Sequence, residues 1–305
     1  MHHLERVGNG RRIFTALLIF QCVIVITGGI VRITGSGLGC PTWPECAPGS
    51  YTPSPEQLED PLHIWIEFGN RLLTFVLGIA ALAALFYSLR FIPNLRIRLL
   101  ALGQVLGIVG QAILGGITVL TGLHPTTVAA HLLLSIILIS GALSLRQRVY
   151  GRIPRSFETQ RLTRSLSKAL VALGFVVIVM GTIVTGTGPH AGDDSSVRFD
   201  FDIRTVAWLH ADLVIAFLGL SLATLIAVRL GEREPARSVL LRKIYLLLGI
   251  SLSQGGIGYL QYFTGVPELL VIAHLIGAVS VWLSLWNFYI TGSVTSRKPS
   301  PASSQ

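Results

Sequence analysis

Eight apolar segments divide the chain, and each is long enough to cross a bilayer as a helix. A hydrocarbon core of about 30 Å needs roughly 20 apolar residues in helical form. No segment alternates as the strands of a membrane barrel do, so helices are the expected spanning form. The segments lie near 13–31, 64–88, 99–120, 126–145, 166–187, 206–228, 239–262 and 266–290. The pattern predicts an all-α integral membrane protein whose first span is retained, because that span lacks a small-residue cleavage site.

The composition agrees with this class and excludes others. Of the 305 residues, 51% are hydrophobic and 13% are charged, whereas a soluble domain carries about 25% charged residues. Disordered and collagen-like chains are excluded by the same numbers. Three cysteines in a chain of this length are too few for a disulfide-stapled miniprotein.

The basic residues are divided unequally between the two sets of loops. One set holds 20 Arg and Lys residues, and the other holds only Arg32, Arg198 and Arg204. Because basic residues collect on the cytoplasmic side, this division places both termini in the cytoplasm. The opposite, outer side carries nine acidic residues, Glu45, Glu56, Glu59, Asp60, Asp193, Asp194, Asp200, Asp202 and Glu268. The formal net charge of +9 therefore reports topology, and no nucleic-acid partner is implied.

The two halves of the chain repeat each other. A fixed offset of 143 residues matches five positions without a gap: Gln111 with Gln254, Gly115 with Gly258, Thr121 with Thr264, Gly122 with Gly265, and His131 with His274. We interpret residues 1–150 and 151–305 as two four-helix bundles, the second followed by a short disordered tail. Because each bundle has an even number of spans, both enter from the cytoplasm and the repeat is parallel.

Three histidines lie inside the predicted spans, where polar groups are costly and usually functional. His210 follows Arg204 by six residues and His274 follows Glu268 by six, which places both imidazoles about 9 Å beneath the outer loops. Two imidazoles at one depth in one bundle suit a hexacoordinate haem iron. Zinc needs three or four ligands, and no such set is evident. Two buried histidines that bond to neighbouring helices are the simpler alternative.

The first bundle carries a different set of polar groups at the corresponding depth. His131 lies on span four, and Glu67, Asn70 and Arg71 lie on span two. Arg71 is four residues from Glu67, close enough to pair with it on a helix. One interpretation is an ion pair that only satisfies two charges. The other is a carboxylate beside a substrate, and the residues alone favour neither.

Cys40 and Cys46 bracket a short segment of the first outer loop. This loop faces an oxidising compartment, so we predict a disulfide between them. A structural staple and a redox role both stay open at this point. Cys22, inside span one, is interpreted as a small buried apolar residue.

The order of these motifs resembles the haem A synthase family over nearly the whole chain. The resemblance is carried by GGIVRITGSGLGCPTWPEC at residues 28–46, by IEFGNR at 66–71, and by His131, His210 and His274. It implies eight helices in two pseudosymmetric bundles. It also implies oxidation of the C8 methyl of haem O to a formyl group, in two successive hydroxylations, to give haem A for aa3-type terminal oxidases.

The resemblance assigns roles residue by residue. His210 and His274 become the axial ligands of a haem b cofactor. His131 becomes an iron ligand of the substrate haem, whose site also includes Asn70 and Arg71. Glu67 becomes the catalytic carboxylate, and Cys40 and Cys46 match the cysteine pair of the first outer loop.

Two positions depart from the family pattern. Many members have a histidine where this chain has Asn70, and many carry a second cysteine pair where residues 188–205 have none. Asparagine is a poor iron ligand, so we expect an open coordination position opposite His131 on the substrate haem.

The resemblance further implies a membrane electron donor such as a quinol, contacts with haem O synthase and cytochrome oxidase assembly factors, and a homo-oligomer as one option. No organelle transit peptide is evident, which favours a bacterial plasma membrane. Two alternative functions stay open: a haem-containing electron carrier of the cytochrome b type and a transporter with parallel repeats. The carrier should have two facing histidine pairs, which Asn70 breaks, and the transporter needs no iron.

Overall fold

The computed structural model describes residues 2–54, 57, 59–150 and 158–293, with side chains from residue 8 onward. Within these residues the regular structure is entirely helical, which confirms the predicted class and its eight helices. They are α1 (His2–Ile33), α2 (Pro61–Phe91), α3 (Leu95–Leu120), α4 (Pro125–Tyr150), α5 (Arg161–Thr187), α6 (Ile203–Gly231), α7 (Ala236–Phe263) and α8 (Glu268–Gly292). Glu56 and the predicted disordered tail after residue 293 lie outside the described residues.

Seven of these eight helices are long and apolar enough to cross a membrane, and α7 is the exception. Its first turns carry Arg237, Arg242 and Lys243, and its second half carries Gln254 and Gln261, which lower its mean hydropathy. The chain is a multi-pass helical membrane protein. That α7 also spans the bilayer stays a prediction.

Polar caps set where several helices begin. Asp60 accepts a hydrogen bond from the Leu62 amide at 2.7 Å at the start of α2, and Asn94 accepts one from the Ile97 amide at 3.3 Å at the start of α3. Such caps satisfy amides that have no partner within the helix. At α2 the cap is followed directly by Pro61, which suits the first helical position because it has no amide hydrogen to lose.

The same backbone turn joins α3 to α4 and α7 to α8. Gly122 and Gly265 have φ values of 61° and 78°, and the next residues, Leu123 and Val266, are also left-handed with φ values of 58° and 60°. Glycine tolerates this conformation, which costs other residues free energy. Each turn therefore reverses the chain within a few residues and sets the fourth helix of its half beside the third.

The helices form two rings of four. In the first ring, α1 contacts α2, α2 contacts α3, α3 contacts α4, and α4 contacts α1; α5–α8 make the corresponding contacts in the second ring. The rings meet where α8 contacts α1 and α4, and where α4 contacts α5. Across the described helices, no Cα atoms of the diagonal pairs α2 with α4 and α6 with α8 come within 8 Å of each other. Side chains from diagonal helices can thus face each other across a ring.

The four loops that join α1 to α2, α3 to α4, α5 to α6 and α7 to α8 meet at one end, here called the outer end. The Gly37 amide donates to the Gly192 carbonyl at 2.9 Å, and the His190 ring bonds the Val266 carbonyl at 2.8 Å. Arg32 at the end of α1 donates to the carbonyls of His190 at 2.5 Å and Thr185 at 2.8 Å. The Gly37 and Arg32 bonds connect the two rings at the outer end, and the His190 bond joins two loops of the second ring.

Candidate functional site

The main apolar cluster of each ring fills the middle and the inner half of the bundle, and a smaller cluster of Cys40, Cys46 and Ile64 lies at the outer end of the first ring. In the first ring the buried core comprises Phe14, Leu17, Leu77, Ala81, Ala84, Tyr87, Ile97, Ala101, Ile108, Ala142 and Leu145. In the second ring the members from α5–α8 comprise Leu170, Phe217, Val228, Ala236, Leu240, Ile244, Leu247, Leu248, Val279, Trp282, Leu285 and Phe288. No residue is buried along 203–216 of α6 or 268–278 of α8. Along these two helices, the outer half of the second ring therefore has no buried side chain.

His210 and His274 lie in this outer half. His210 is seven residues after the first residue of α6 and His274 is six after the first residue of α8, a depth of about 9 to 11 Å. Both are half-buried. The structure thus places the two predicted ligands at one depth on diagonal helices.

Glycines face both imidazoles. A Cβ atom at Gly181 of α5 would lie 3.4 Å from Cε1 of His210, and one at Gly258 of α7 would lie 3.2 Å from Cε1 of His274. The buried Nδ1 atoms of the two histidines have no hydrogen-bond partner among the described residues. Each imidazole therefore lies against bare helix backbone with its Nδ1 atom uncommitted, as a nitrogen that binds a ligand would be.

α6, the helix that carries His210, is fixed at its first turn by Asp202. The Asp202 carboxylate accepts hydrogen bonds from the amide and the hydroxyl of Thr205 at 2.7 and 2.6 Å. These two bonds hold the pKa of Asp202 below its usual range. The cap contributes its full stability above the pKa that Asp202 has in the unfolded chain. It is lost only as the pH falls through the lower pKa of the folded protein, so the start of α6 keeps its cap at neutral pH.

In the first ring, His131 lies six residues after the first residue of α4. A Cβ at Gly115 of α3 would lie 3.0 Å from its Nε2 atom. The amide of Gln111, also on α3, donates to the His131 carbonyl at 3.0 Å and to the Ser135 hydroxyl at 2.7 Å. In the described part of the chain, no hydrogen bond joins the imidazole to Glu67 or Asn70, which lie on the diagonal helix α2.

Glu67 and Arg71 form the ion pair that their spacing allows, and the pair also holds the first outer loop. Glu67 is 5% exposed, and its Oε1 accepts from Nε and Nη2 of Arg71 at 3.0 and 2.6 Å. Its Oε2 accepts from the Cys40 amide at 2.7 Å. Arg71 donates further to the carbonyls of Cys40, Thr42 and Glu45 at 2.6, 3.0 and 3.1 Å. The two side chains together hold residues 40–46 onto α2.

The disulfide loop, residues 40–46, covers the outer mouth of the first ring. Cys40 and Cys46 are bonded to each other, which confirms the predicted pairing. Both are buried. The Trp43 indole is packed onto Gly116 of α3, where a Cβ would lie 2.5 Å from the ring. Gly116 adjoins Gly115, which faces His131, so the loop, Glu67 and His131 belong to one region.

Asn70 is bonded to α1. Its Oδ1 accepts a hydrogen bond from the Thr27 hydroxyl at 2.7 Å. Thr27 gives no signal in the sequence, because the contact joins two helices and residues 43 apart. The bond restricts the amide of Asn70 and commits its oxygen to a neighbouring helix.

Removal of the Arg71 guanidinium is expected to release the disulfide loop without breaking the disulfide. An Arg71→Met protein loses the three carbonyl contacts and the Glu67 ion pair. Because hydrogen bonds from a charged group stabilise the folded loop strongly, the amide hydrogens of residues 40–46 should exchange with solvent at least about tenfold faster. Hydrogen exchange followed by mass spectrometry measures this. Arg90→Met, on the exposed far end of α2, is the control, and an unchanged loop in Arg71→Met would refute the anchoring role.

Comparisons with known proteins agree with these features. The model of the cytochrome oxidase assembly protein family, COX15-CtaA, matches residues 11–192, which is 182 of the 305 residues and includes Glu67, His131 and the disulfide loop. A haem A synthase of Shewanella oneidensis is 26% identical over 312 aligned positions, covering 88% of this chain and 92% of the relative.

Two further relatives align over a shorter region. A haem A synthase of Lysinibacillus sphaericus is 28% identical over 179 positions, which cover 56% of either chain. One of Exiguobacterium sibiricum is 29% identical over 181 positions, covering 58% of this chain and 59% of the relative. The alignments with these two thus span little more than half the length of each relative.

Proposed function

Because the chain belongs to the cytochrome oxidase assembly protein family COX15-CtaA, we propose that it is a membrane oxidoreductase that converts haem O to haem A. The observation that carries the proposal is that two rings of the same helix arrangement hold two different sets of polar side chains. The second ring offers two imidazoles and no carboxylate bonded to them. The first ring offers one imidazole and the carboxylate of Glu67, held beneath a disulfide loop.

The second ring suits a resident haem b. His210 and His274 lie at one depth on diagonal helices, their Nδ1 atoms are uncommitted, and these helices have no buried side chain in their outer halves. No group of three or more His, Cys, Asp or Glu residues suited to a metal ion occurs in the described part of the chain, which argues against zinc. A haem bound there would supply one-electron transfer, and His210 and His274 would hold its iron.

The first ring receives haem O, with His131 as the protein ligand to its iron. Glu67 lies six residues into α2 and His131 six into α4, so both are about 9 Å from the outer ends of their helices. The disulfide loop lies over this region with Trp43 packed against α3, and in this proposal the loop limits the access of water. Exclusion of water favours oxidation of an unreactive methyl group over side reactions.

The reaction takes a methyl group to a formyl group by two hydroxylations. The carbon passes from CH3 to CH2OH and then to CH(OH)2, which loses one water to leave CHO. In each hydroxylation one O2 is the oxidant: one of its oxygen atoms enters a C–H bond, and the other leaves as water with two protons and two electrons that come from the quinol. Glu67 accepts a proton or stabilises positive charge that develops at this carbon. Each carboxylate oxygen has two lone pairs, so the bonds to Arg71 and the Cys40 amide orient Glu67 and leave it capacity for a further proton.

Asn70 leaves the position opposite His131 open on the substrate iron. Its oxygen accepts from Thr27, which holds the amide toward α1, and an asparagine is in any case a weak iron ligand. With the second ring's haem removed by the His274→Ala substitution, haem O bound to the protein should give a five-coordinate or water-ligated spectrum. A six-coordinate bis-histidine spectrum in that protein would contradict the open position.

The finer topology belongs to the same proposal. Each helix of the first ring has the same neighbours as its counterpart in the second, and the α3–α4 and α7–α8 turns are alike, which supports the parallel repeat of residues 1–150 and 151–305. In this arrangement all eight helices span a bacterial plasma membrane with both termini cytoplasmic. A membrane quinol supplies electrons, and haem O synthase supplies the substrate.

The test is production of haem A in cells that make haem O and lack their own haem A synthase. Expression of this chain should add haem A to the extracted pigments, identified by mass analysis as the formyl product. An electron carrier of the cytochrome b type would bring haem b into the membrane and leave haem O unchanged. That second pattern would refute the proposed reaction.

A further inference from the structure

Two glutamines make the same contact in the two rings. Gln111 of α3 donates its amide to the carbonyl of His131 at 3.0 Å, and Gln254 of α7 donates to the carbonyl of His274 at 2.6 Å. In each case the residue whose carbonyl accepts the bond is the histidine of the following helix. The bond therefore ties the backbone of that histidine to the third helix of its own ring.

A glycine follows each glutamine by one helical turn and lies against the same histidine. A Cβ at Gly115 would come within 3.0 Å of Nε2 of His131, and one at Gly258 within 3.2 Å of Cε1 of His274. The segments QAILG at 111–115 and QGGIG at 254–258 thus combine a donor to the histidine's carbonyl with a flat surface for its ring. In each ring, a glutamine and a glycine four residues apart on the third helix thus contact the backbone carbonyl and the imidazole of the same histidine.

This contact is more specific than the packing of two helices requires. Gln104, seven residues before Gln111 on α3, makes the same kind of bond to the carbonyl of Leu138 on α4 at 3.1 Å. It therefore secures the same helix pair at a place without a histidine. At the 143-residue offset of the repeat, Gln104 corresponds to Leu247, whereas Gln111 corresponds to Gln254. Of the two glutamines on α3 that bond α4, only the one that bonds a histidine thus has a counterpart in the second ring.

We propose that Gln111 and Gln254 are positioning residues that set the orientation of the iron-binding imidazoles of His131 and His274. The inference rests on the proposed function, because it assumes that these two histidines bind iron. A group that orients a metal ligand without touching the metal commonly changes affinity for the metal by 10- to 100-fold. Here the glutamine fixes the backbone from which the imidazole projects, and the glycine surface limits rotation of the ring.

The experiment compares three variants of the full-length protein, each purified with haem b and loaded with haem O. They are Gln254→Leu, Gln111→Leu and the control Gln104→Leu. The readouts are the rate at which each haem is lost to excess apomyoglobin and the low-temperature electron paramagnetic resonance spectrum. Should a leucine variant fail to insert in the membrane, methionine, which keeps the length of glutamine, replaces leucine.

A reciprocal pattern is expected. Gln254→Leu should release haem b about 10- to 100-fold faster and shift the resonance of its iron, while haem O is unaffected. Gln111→Leu should do the same for haem O alone. Gln104→Leu should change neither haem, because its bond is remote from both histidines.

Two outcomes overturn the inference: wild-type rates and spectra in the Gln111 and Gln254 variants, or equal changes in all three proteins, which would indicate general loosening of the fold. The proposed function fails in a different way. If the wild-type protein holds no haem, or if His274→Ala still holds haem b, the assignment of the histidines is wrong whatever the glutamine variants show.

Discussion

The Glu67→Gln protein is expected to form at least about 100-fold less haem A than the wild type while it keeps its haem b. Glutamine has the shape of glutamate and keeps an oxygen that can accept from Arg71 or from the Cys40 amide. It lacks the negative charge and the basicity that the oxidation of the methyl group requires. The measurement is the ratio of haem A to haem O in pigments extracted from cells that express equal amounts of each protein.

Matched variants separate the chemical role of Glu67 from its structural one. Arg71→Met releases the disulfide loop and keeps the carboxylate, so it should lower haem A formation less than Glu67→Gln does. Glu67→Ala removes both the carboxylate and its bond to the Cys40 amide. If Glu67→Gln retained wild-type haem A formation and Arg71→Met abolished it, Glu67 would be an anchor of the loop and the catalytic assignment would be wrong.

Substitution of either His210 or His274 by alanine is expected to abolish the absorption of the haem b cofactor. One imidazole cannot hold the iron from both faces, and the outer half of the second ring offers no buried side chain along α6 or α8 to replace it. Loss of the relay haem should also stop haem A formation, because electrons no longer reach the first ring. The reduced-minus-oxidised spectrum of the purified protein measures the cofactor directly.

His124→Ala is the matched control for these histidine variants. His124 lies in the short loop between α3 and α4, is exposed, and accepts from the Thr126 amide at 3.3 Å. It has no place in either ring, so its removal should leave the haem b spectrum unchanged. Normal haem b absorption in either His210→Ala or His274→Ala would exclude that histidine as a ligand.

The helices could be predicted from the sequence because each apolar run is long and is bounded by polar, proline or glycine residues. The runs located all eight helices, with ends that shifted by several residues where basic turns extend a helix beyond the apolar stretch. Helix α7 shows the limit of this approach. Its basic first turns and its two glutamines lower its mean hydropathy, so its length identifies it as a span better than its composition does.

The candidate site was predictable only in part. The depth of His210 and His274 follows from their distance to the helix ends, which a sequence gives. The loop contacts of Arg71 do not, because its four-residue spacing from Glu67 says nothing of the carbonyls that it reaches 26 to 31 residues away along the chain. The Thr27 bond to Asn70 and the bonds of Gln111 and Gln254 were likewise not foreseen, since they depend on how helices face each other.

The central claim is that the second ring holds a haem iron between His210 and His274, and the low-temperature electron paramagnetic resonance spectrum of the oxidised, purified wild-type protein tests it most directly. The account predicts a low-spin signal with two imidazole ligands, at about one haem b per chain, in protein produced with ample iron. A colourless protein, or a high-spin signal from iron with a single histidine ligand, would contradict it.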